Sequence, residues 1–142
     1  MESETSNKAA RRGKLVLRRI GSVVVGFVAI VVLSVATDEV LHRTGVMPRT
    51  ALFDTGLLIL ALAYRSLFSV IGCYLTGRLA PDRPVGHALA LGVVGVVVSA
   101  AGTVAGRDLG PIWYGASLAV VSLPLSWLGG RLSLLHRPAP AR

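Results

Sequence analysis

From Leu57 to Leu75 the chain carries a single charge, Arg65, inside an otherwise apolar run. A helix rises about 1.5 Å per residue and the hydrocarbon core of a bilayer is about 30 Å thick, so about 20 apolar residues cross it. A central Arg costs roughly 2.5 to 3.5 kcal/mol on insertion, and each Leu, Ile, Val or Phe offsets roughly 0.3 to 0.6. Leu57, Leu58, Ile59, Leu60, Leu62, Leu67, Phe68, Val70, Ile71 and Leu75 together outweigh that one charge. The stretch therefore reads as a membrane helix. At 100° per residue, Asp54, Ala61, Arg65, Gly72 and Thr76 share one narrow stripe, with Ser69 at its edge and Leu60, Leu67, Val70 and Ile71 opposite. The polar, small stripe is predicted to face other helices and the aliphatic face to meet lipid.

Three further apolar runs repeat the pattern, and the mean hydropathy is +0.67. The predicted fold is an all-α integral membrane protein, a bundle of four transmembrane helices over residues 15–130. The spans are expected at about 15–41, 52–79, 85–106 and 112–130. Residues 1–14 read as a disordered basic tail and 131–142 as a polar C-terminal tail. Residues 37–50 form the first connector, with Gly45 and Pro48 as breakers, which makes the first two spans a hairpin. Ser34-Val35-Ala36 after a basic start and an apolar run also has the form of a signal-peptide cleavage site. The length of that run and the spans that follow it favour a retained helix.

A net charge of +8 in a soluble domain would point to nucleic acid; here the basic residues flank apolar runs, so topology explains them and nucleic acid is not expected as a partner. One set of flanks holds Lys8, Arg11, Arg12, Lys14, Arg18, Arg19, Arg78, Arg83, Arg131, Arg137 and Arg142; the other holds Arg43, Arg49 and Arg107. Both termini are expected in the cytoplasm, and the imbalance argues against dual topology. Trp113 and Tyr114 fall at the outer interface, Tyr74 and Trp127 toward the inner one. A lone cysteine, Cys73, excludes a disulfide framework.

Small residues stand at helix-contact spacing. Gly102-xxx-Gly106 is a GxxxG motif, Gly95-xxx-Ser99 and Ser22-xxx-Gly26 are small-xxx-small pairs, and Gly26, Gly92, Gly95, Ser99, Gly102, Gly106 and Pro124 are the candidate packing residues. Ser34, Asp38 and His42 recur every four residues, with Glu39 beside them; Asp54 is expected at the depth of Asp38. Arg65, Asp38, Glu39, His42 and Asp54 are thus the candidate functional polar residues. Glu39-x-x-His42 is half of a di-iron helix motif with no second copy, so no metal site or cofactor is assigned. No nucleophile has an adjacent base, and P-loop, dinucleotide and HExxH motifs are missing, which argues against an enzyme. Arg65 is expected to point toward the fourth span. Pro124 frees the Val120 carbonyl there, and Ser122 and Ser126 add acceptors.

Thr37-Asp38, His42, Gly45 and Pro48, Ala63-Tyr64-Arg65, Ala80-Pro81, Pro84, His87-Ala88, Pro111-Ile112-Trp113-Tyr114 and Trp127-Leu128-Gly129-Gly130 resemble a group of small, uncharacterised bacterial inner-membrane proteins with four predicted spans. The resemblance implies a multi-pass protein of the bacterial cytoplasmic membrane and brings no activity with it. The leading expectation is a small non-enzymatic accessory or interaction subunit, whose partners are the lipid bilayer and other membrane proteins or a second copy. The alternative is a transporter or channel component using Arg65 and the outer acidic cluster.

Overall fold

The computed structural model describes residues 2–50 and 53–136. The chain forms four helices, α1 (Glu2–Arg43), α2 (Thr55–Leu79), α3 (Pro84–Ala105) and α4 (Ile112–Leu135), each long and apolar enough to cross a membrane. Three boundaries differ from the sequence reading. α1 starts at Glu2, through the stretch expected as a disordered tail, and continues to Arg43, through the first half of the stretch expected as a connector. α4 runs on to Leu135. Leu52, the first residue of the expected second span, and the tail from 137 lie outside the described residues.

The helix ends follow local chemistry. Asp54 is the N-cap of α2, its carboxylate accepting the Leu57 N–H at 2.9 Å. Pro84 opens α3, where its missing N–H leaves no helical bond unmade. Arg83 before it takes a left-handed conformation at φ 40°, which turns the chain sharply between α2 and α3.

Neighbouring contacts give the topology. Gly26 of α1 lies against Gly72 of α2, and Arg19 meets Asp82 beyond the end of α2, so these helices run antiparallel. Gly92 and Gly95 of α3 meet Ser126 and Ser122 of α4, again antiparallel. Gly77 of α2 meets Ser133 of α4, so these two are parallel. α4 packs on both α2 and α3, α1 packs on α2 and more lightly on α3, and α1 does not touch α4. The start of α1, the α2–α3 turn and the end of α4 therefore share one end of the bundle. The two longer connectors share the other.

These two ends are packed differently. Ser22, Gly26, Gly72, Cys73, Thr76, Gly77, Ala88, Leu91, Gly92, Ser126, Gly129, Gly130 and Ser133 are all buried toward the first end. At the connector end α3 and α4 bury no residue beyond Gly92 and before Ser126. Close approach at the tight end comes from glycine meeting a hydroxyl residue. A Cβ on Gly92 would stand 2.7 Å from Ser126 Cβ, and one on Gly77 2.8 Å from Ser133 Cβ. Each serine donates to a carbonyl one turn back in its own helix, Ser126 to Leu123 and Ser133 to Gly130, both at 2.7 Å. Both serine hydroxyls are thus satisfied locally, and α4 approaches α2 and α3 without leaving an unpaired donor at these two contacts.

The packing residues expected from sequence divide accordingly. Gly26, Gly92 and Gly95 are contact positions. Gly102 and Gly106 are not: nothing lies within 4 Å of a Cβ on Gly102, and a Cβ on Gly106 would meet only its own helix. Most of the α2 wheel holds, with Ala61, Gly72 and Thr76 buried and Leu60, Leu67 and Ile71 exposed, but Val70 is half-buried and its carbonyl lies against Gly129 of α4. Pro124 faces outward and is exposed.

Candidate functional site: an ion pair in the wall of two cavities

Arg65 does not reach toward α4. Its Nη2 donates to Asp38 Oδ2 of α1 at 2.6 Å, and the neighbouring Tyr64 hydroxyl donates to Asp38 Oδ1. The expectation that Arg65 bonds to groups around Pro124 is therefore corrected, for two reasons. Ser122 and Ser126 turn their hydroxyls onto Gly95 and Gly92 of α3. The Val120 carbonyl freed by Pro124 lies on a face where Val120 is 74% exposed, away from the bundle interior.

The second part of the correction is depth. Sequence reasoning set Asp38 level with Asp54, as if the chain turned soon after Thr37. α1 instead continues to Arg43, and the Gly26–Gly72 contact places Arg43 about level with Thr55. Asp38 then sits about 9 Å further into the bundle than Asp54, and only about 8 Å along the axis from Arg65. A long guanidinium side chain leaning along the helix spans that gap.

Asp54 belongs to the α2 cap and takes no part in the pair. Glu39 turns outward, accepting from Arg43 at 2.7 Å and meeting Arg49 at 3.5 Å. His42 lines the larger cavity. The acidic cluster expected at this end is thus divided among three separate tasks. Among the described residues no three His, Cys, Asp or Glu side chains converge as metal ligands would.

The pair stands between two cavities. The larger, about 520 Å³, opens among the two connectors and the facing ends of all four helices, with His42, Tyr64, Thr103 and Tyr114 in its wall. The smaller, about 260 Å³, lies deeper among all four helices, with Ser34, Ser66, Ser69 and Ser122 among aliphatic residues. Asp38, Arg65, Val98, Ser99 and Leu118 line both. The side chains of Arg65 and Asp38 are 36% and 26% accessible, so the pair is reached from these spaces. Gly102, Gly106 and Gly115 also border the larger cavity, and two of these form the GxxxG motif. At Gly102 and Gly106 the missing side chains leave volume, whereas Gly115 packs against Thr103 of α3, where a Cβ would stand 2.9 Å from Thr103 Cβ.

Hydrogen bonding sorts the hydroxyls further. Ser69, Thr103 and Ser122 donate to carbonyls in their own helices at 2.9, 2.7 and 2.7 Å. Ser34, Ser66 and Ser99 make no side-chain hydrogen bond among the described residues, and all three face the smaller cavity. Arg65 Nε is buried without an acceptor, as is the Thr76 hydroxyl at the α1–α2 crossing. Tyr64 and Tyr114 stand in the sequence reading as part of a resemblance and of an aromatic belt, not as site residues. The available signal was that Tyr64 adjoins Arg65 and so flanks the same partner, 100° around the helix.

The fold and site define a four-helix apolar bundle, tight at one end, with a charge-paired polar vestibule at the other. No family model matches the chain, and no curated protein or solved structure is similar to it.

Proposed function

We propose that the chain is a multi-pass protein of the bacterial cytoplasmic membrane, with both termini inside, that admits a small polar solute from the outer side as a transporter or channel component. The observation that carries this is the Asp38–Arg65 pair in the wall common to two cavities at one end of the bundle. Ionisable groups within an apolar bundle are costly, and their usual use is to meet a solute or ion. The excess of Lys and Arg at the tight end and both termini supports the orientation. The experiment is thiol labelling in intact cells. Ser99→Cys in a Cys73→Ala background should react with a membrane-impermeant maleimide added outside. Protection of Ser99→Cys, with labelling of a cysteine in the α1–α2 connector as the positive control, would sink the reading.

The accessory-subunit reading keeps one observation of its own. Gly102 is exposed, with open space beside it, so a helix from another protein would find no side chain in its way. Co-purification in mild detergent tests it; a species free of any partner counts against it.

A further inference from the structure

The charges of the vestibule set what it can bind, granted the proposal above that a solute enters it. Within the wall common to both cavities stand one carboxylate, Asp38, and one guanidinium, Arg65, and they are paired with each other. A lone anion bound to Arg65 would draw it from Asp38 and leave a carboxylate half-buried without its cation. A lone cation bound to Asp38 would strand the guanidinium in the same way. Removing one partner of a desolvated pair is strongly unfavourable because the other charge is left uncompensated. A ligand carrying both signs replaces both partners at once.

The hydrogen-bonding capacity left open is of both kinds. Arg65 Nε has no acceptor, so an incoming carboxylate or phosphate oxygen would satisfy a buried donor. Ser34 lies one turn from Asp38 on the same face of α1, its hydroxyl without a side-chain partner, and can accept from an ammonium bound at the carboxylate. The deeper cavity is otherwise aliphatic, with Ile30, Val31, Leu91 and Leu125 in its wall, so it takes an apolar group. The two volumes together fall in the usual range for small-ligand sites.

We infer that the vestibule binds a small zwitterion, a primary ammonium and an acidic group on one molecule with an apolar extension, which opens the Asp38–Arg65 pair and takes one half of it at each end. That chemistry occurs in free amino acids and in the headgroup of an aminophospholipid.

The test uses the full chain in phosphatidylglycerol nanodiscs and reads the thermal unfolding midpoint. L-leucine, leucinamide and 4-methylpentanoate keep one apolar shape and vary only the charge. In a second arm phosphatidylethanolamine replaces part of the phosphatidylglycerol. If the source is a free amino acid, L-leucine raises the midpoint, and the amide and the acid bind about tenfold or more weaker. If it is a headgroup, phosphatidylethanolamine raises the midpoint and L-leucine does not. Asp38→Asn and Arg65→Gln should each abolish the shift; because either variant can fail to fold, the charge series on the unaltered protein decides. Equal stabilisation by 4-methylpentanoate or leucinamide overturns the inference and leaves the solute site standing. No shift in either arm, with Ser99→Cys labelled, overturns the inference alone; no shift with Ser99→Cys protected overturns both readings.

Discussion

Gly26 and Gly72 touch backbone to backbone: a Cβ on Gly26 would lie 2.5 Å from the Gly72 carbonyl oxygen, and one on Gly72 would lie 2.7 Å from the Gly26 carbonyl oxygen. This contact sets the register of α1 on α2. Through that register it brings Asp38 within hydrogen-bond reach of Arg65. A packing position near the tight end thus governs the chemistry of the open end.

Gly26→Val should therefore lose about 1–3 kcal/mol of stability or more, since the obstacle is a backbone carbonyl that cannot rotate away. Gly102→Ala, with nothing within 4 Å of the new methyl, should gain up to about 1 kcal/mol from helix propensity. Denaturation in mixed micelles measures both. Similar losses at the two positions would contradict the division between packing and cavity glycines.

Asp38→Asn and Arg65→Leu should each destabilise, by about 1–3 kcal/mol once the partial exposure of the pair is discounted. The double variant should recover part of that loss, because it leaves no charge unpaired. Tyr64→Phe removes one hydrogen bond to Asp38 and should cost about 1 kcal/mol. A double-mutant cycle reads the coupling directly; strictly additive losses would mean that the pair does not act as one.

Arg19 holds the Asp82 carboxylate from the α2–α3 turn with bonds of 3.0 and 2.7 Å, and this bond lowers the Asp82 pKa below its ordinary 3.8. A carboxylate depressed in the folded state contributes stability above its unfolded pKa and loses it as pH falls through the folded one. Unfolding midpoints of the unaltered protein should drop by a small increment as pH falls below about 4, an increment that Asp82→Asn lacks. Both groups are well exposed, so high salt should shrink the difference.

Reporter fusions check the orientation. A fusion at Thr44 should be active only outside and one after Arg142 only inside, given the bias of Lys and Arg toward the tight end. The reverse pattern would invert the membrane assignment and place the vestibule on the cytoplasmic side.

The four long apolar helices were legible because length and apolarity are local properties, and the exposed and buried sides of α2 followed in the main from its period. Arg65 was legible as the residue to explain. Its partner was not, because depth across a hairpin depends on where the first helix stops, and no strong breaker stands between Asp38 and Arg43 to mark that point. The GxxxG motif misled for a related reason. Spacing shows that two glycines share a face, but whether a helix or a space lies against it depends on how α3 is turned: Thr103 meets Gly115 of α4, and Gly102 beside it meets nothing within 4 Å. Tyr114 joins the site only through that tertiary arrangement.

Pro124 tests the corrected geometry most directly. Were Arg65 held by carbonyls freed around this proline, replacing it would remove acceptors and destabilise the pair's neighbourhood. In the structure Pro124 and Val120 lie on the exposed face of α4, and Arg65 is held by Asp38. Pro124→Ala restores an N–H able to bond the Val120 carbonyl and removes the ring's clash with the preceding turn. An interior proline disfavours a helix by up to about 3 kcal/mol, part of which a bundle relieves by local adjustment. Pro124→Ala should therefore leave stability unchanged or raise it. The loss caused by Arg65→Leu should be the same size with alanine or proline at 124. Measuring Arg65→Leu in both backgrounds settles the matter: a loss that shrinks when Pro124 is replaced would tie Arg65 to α4 after all.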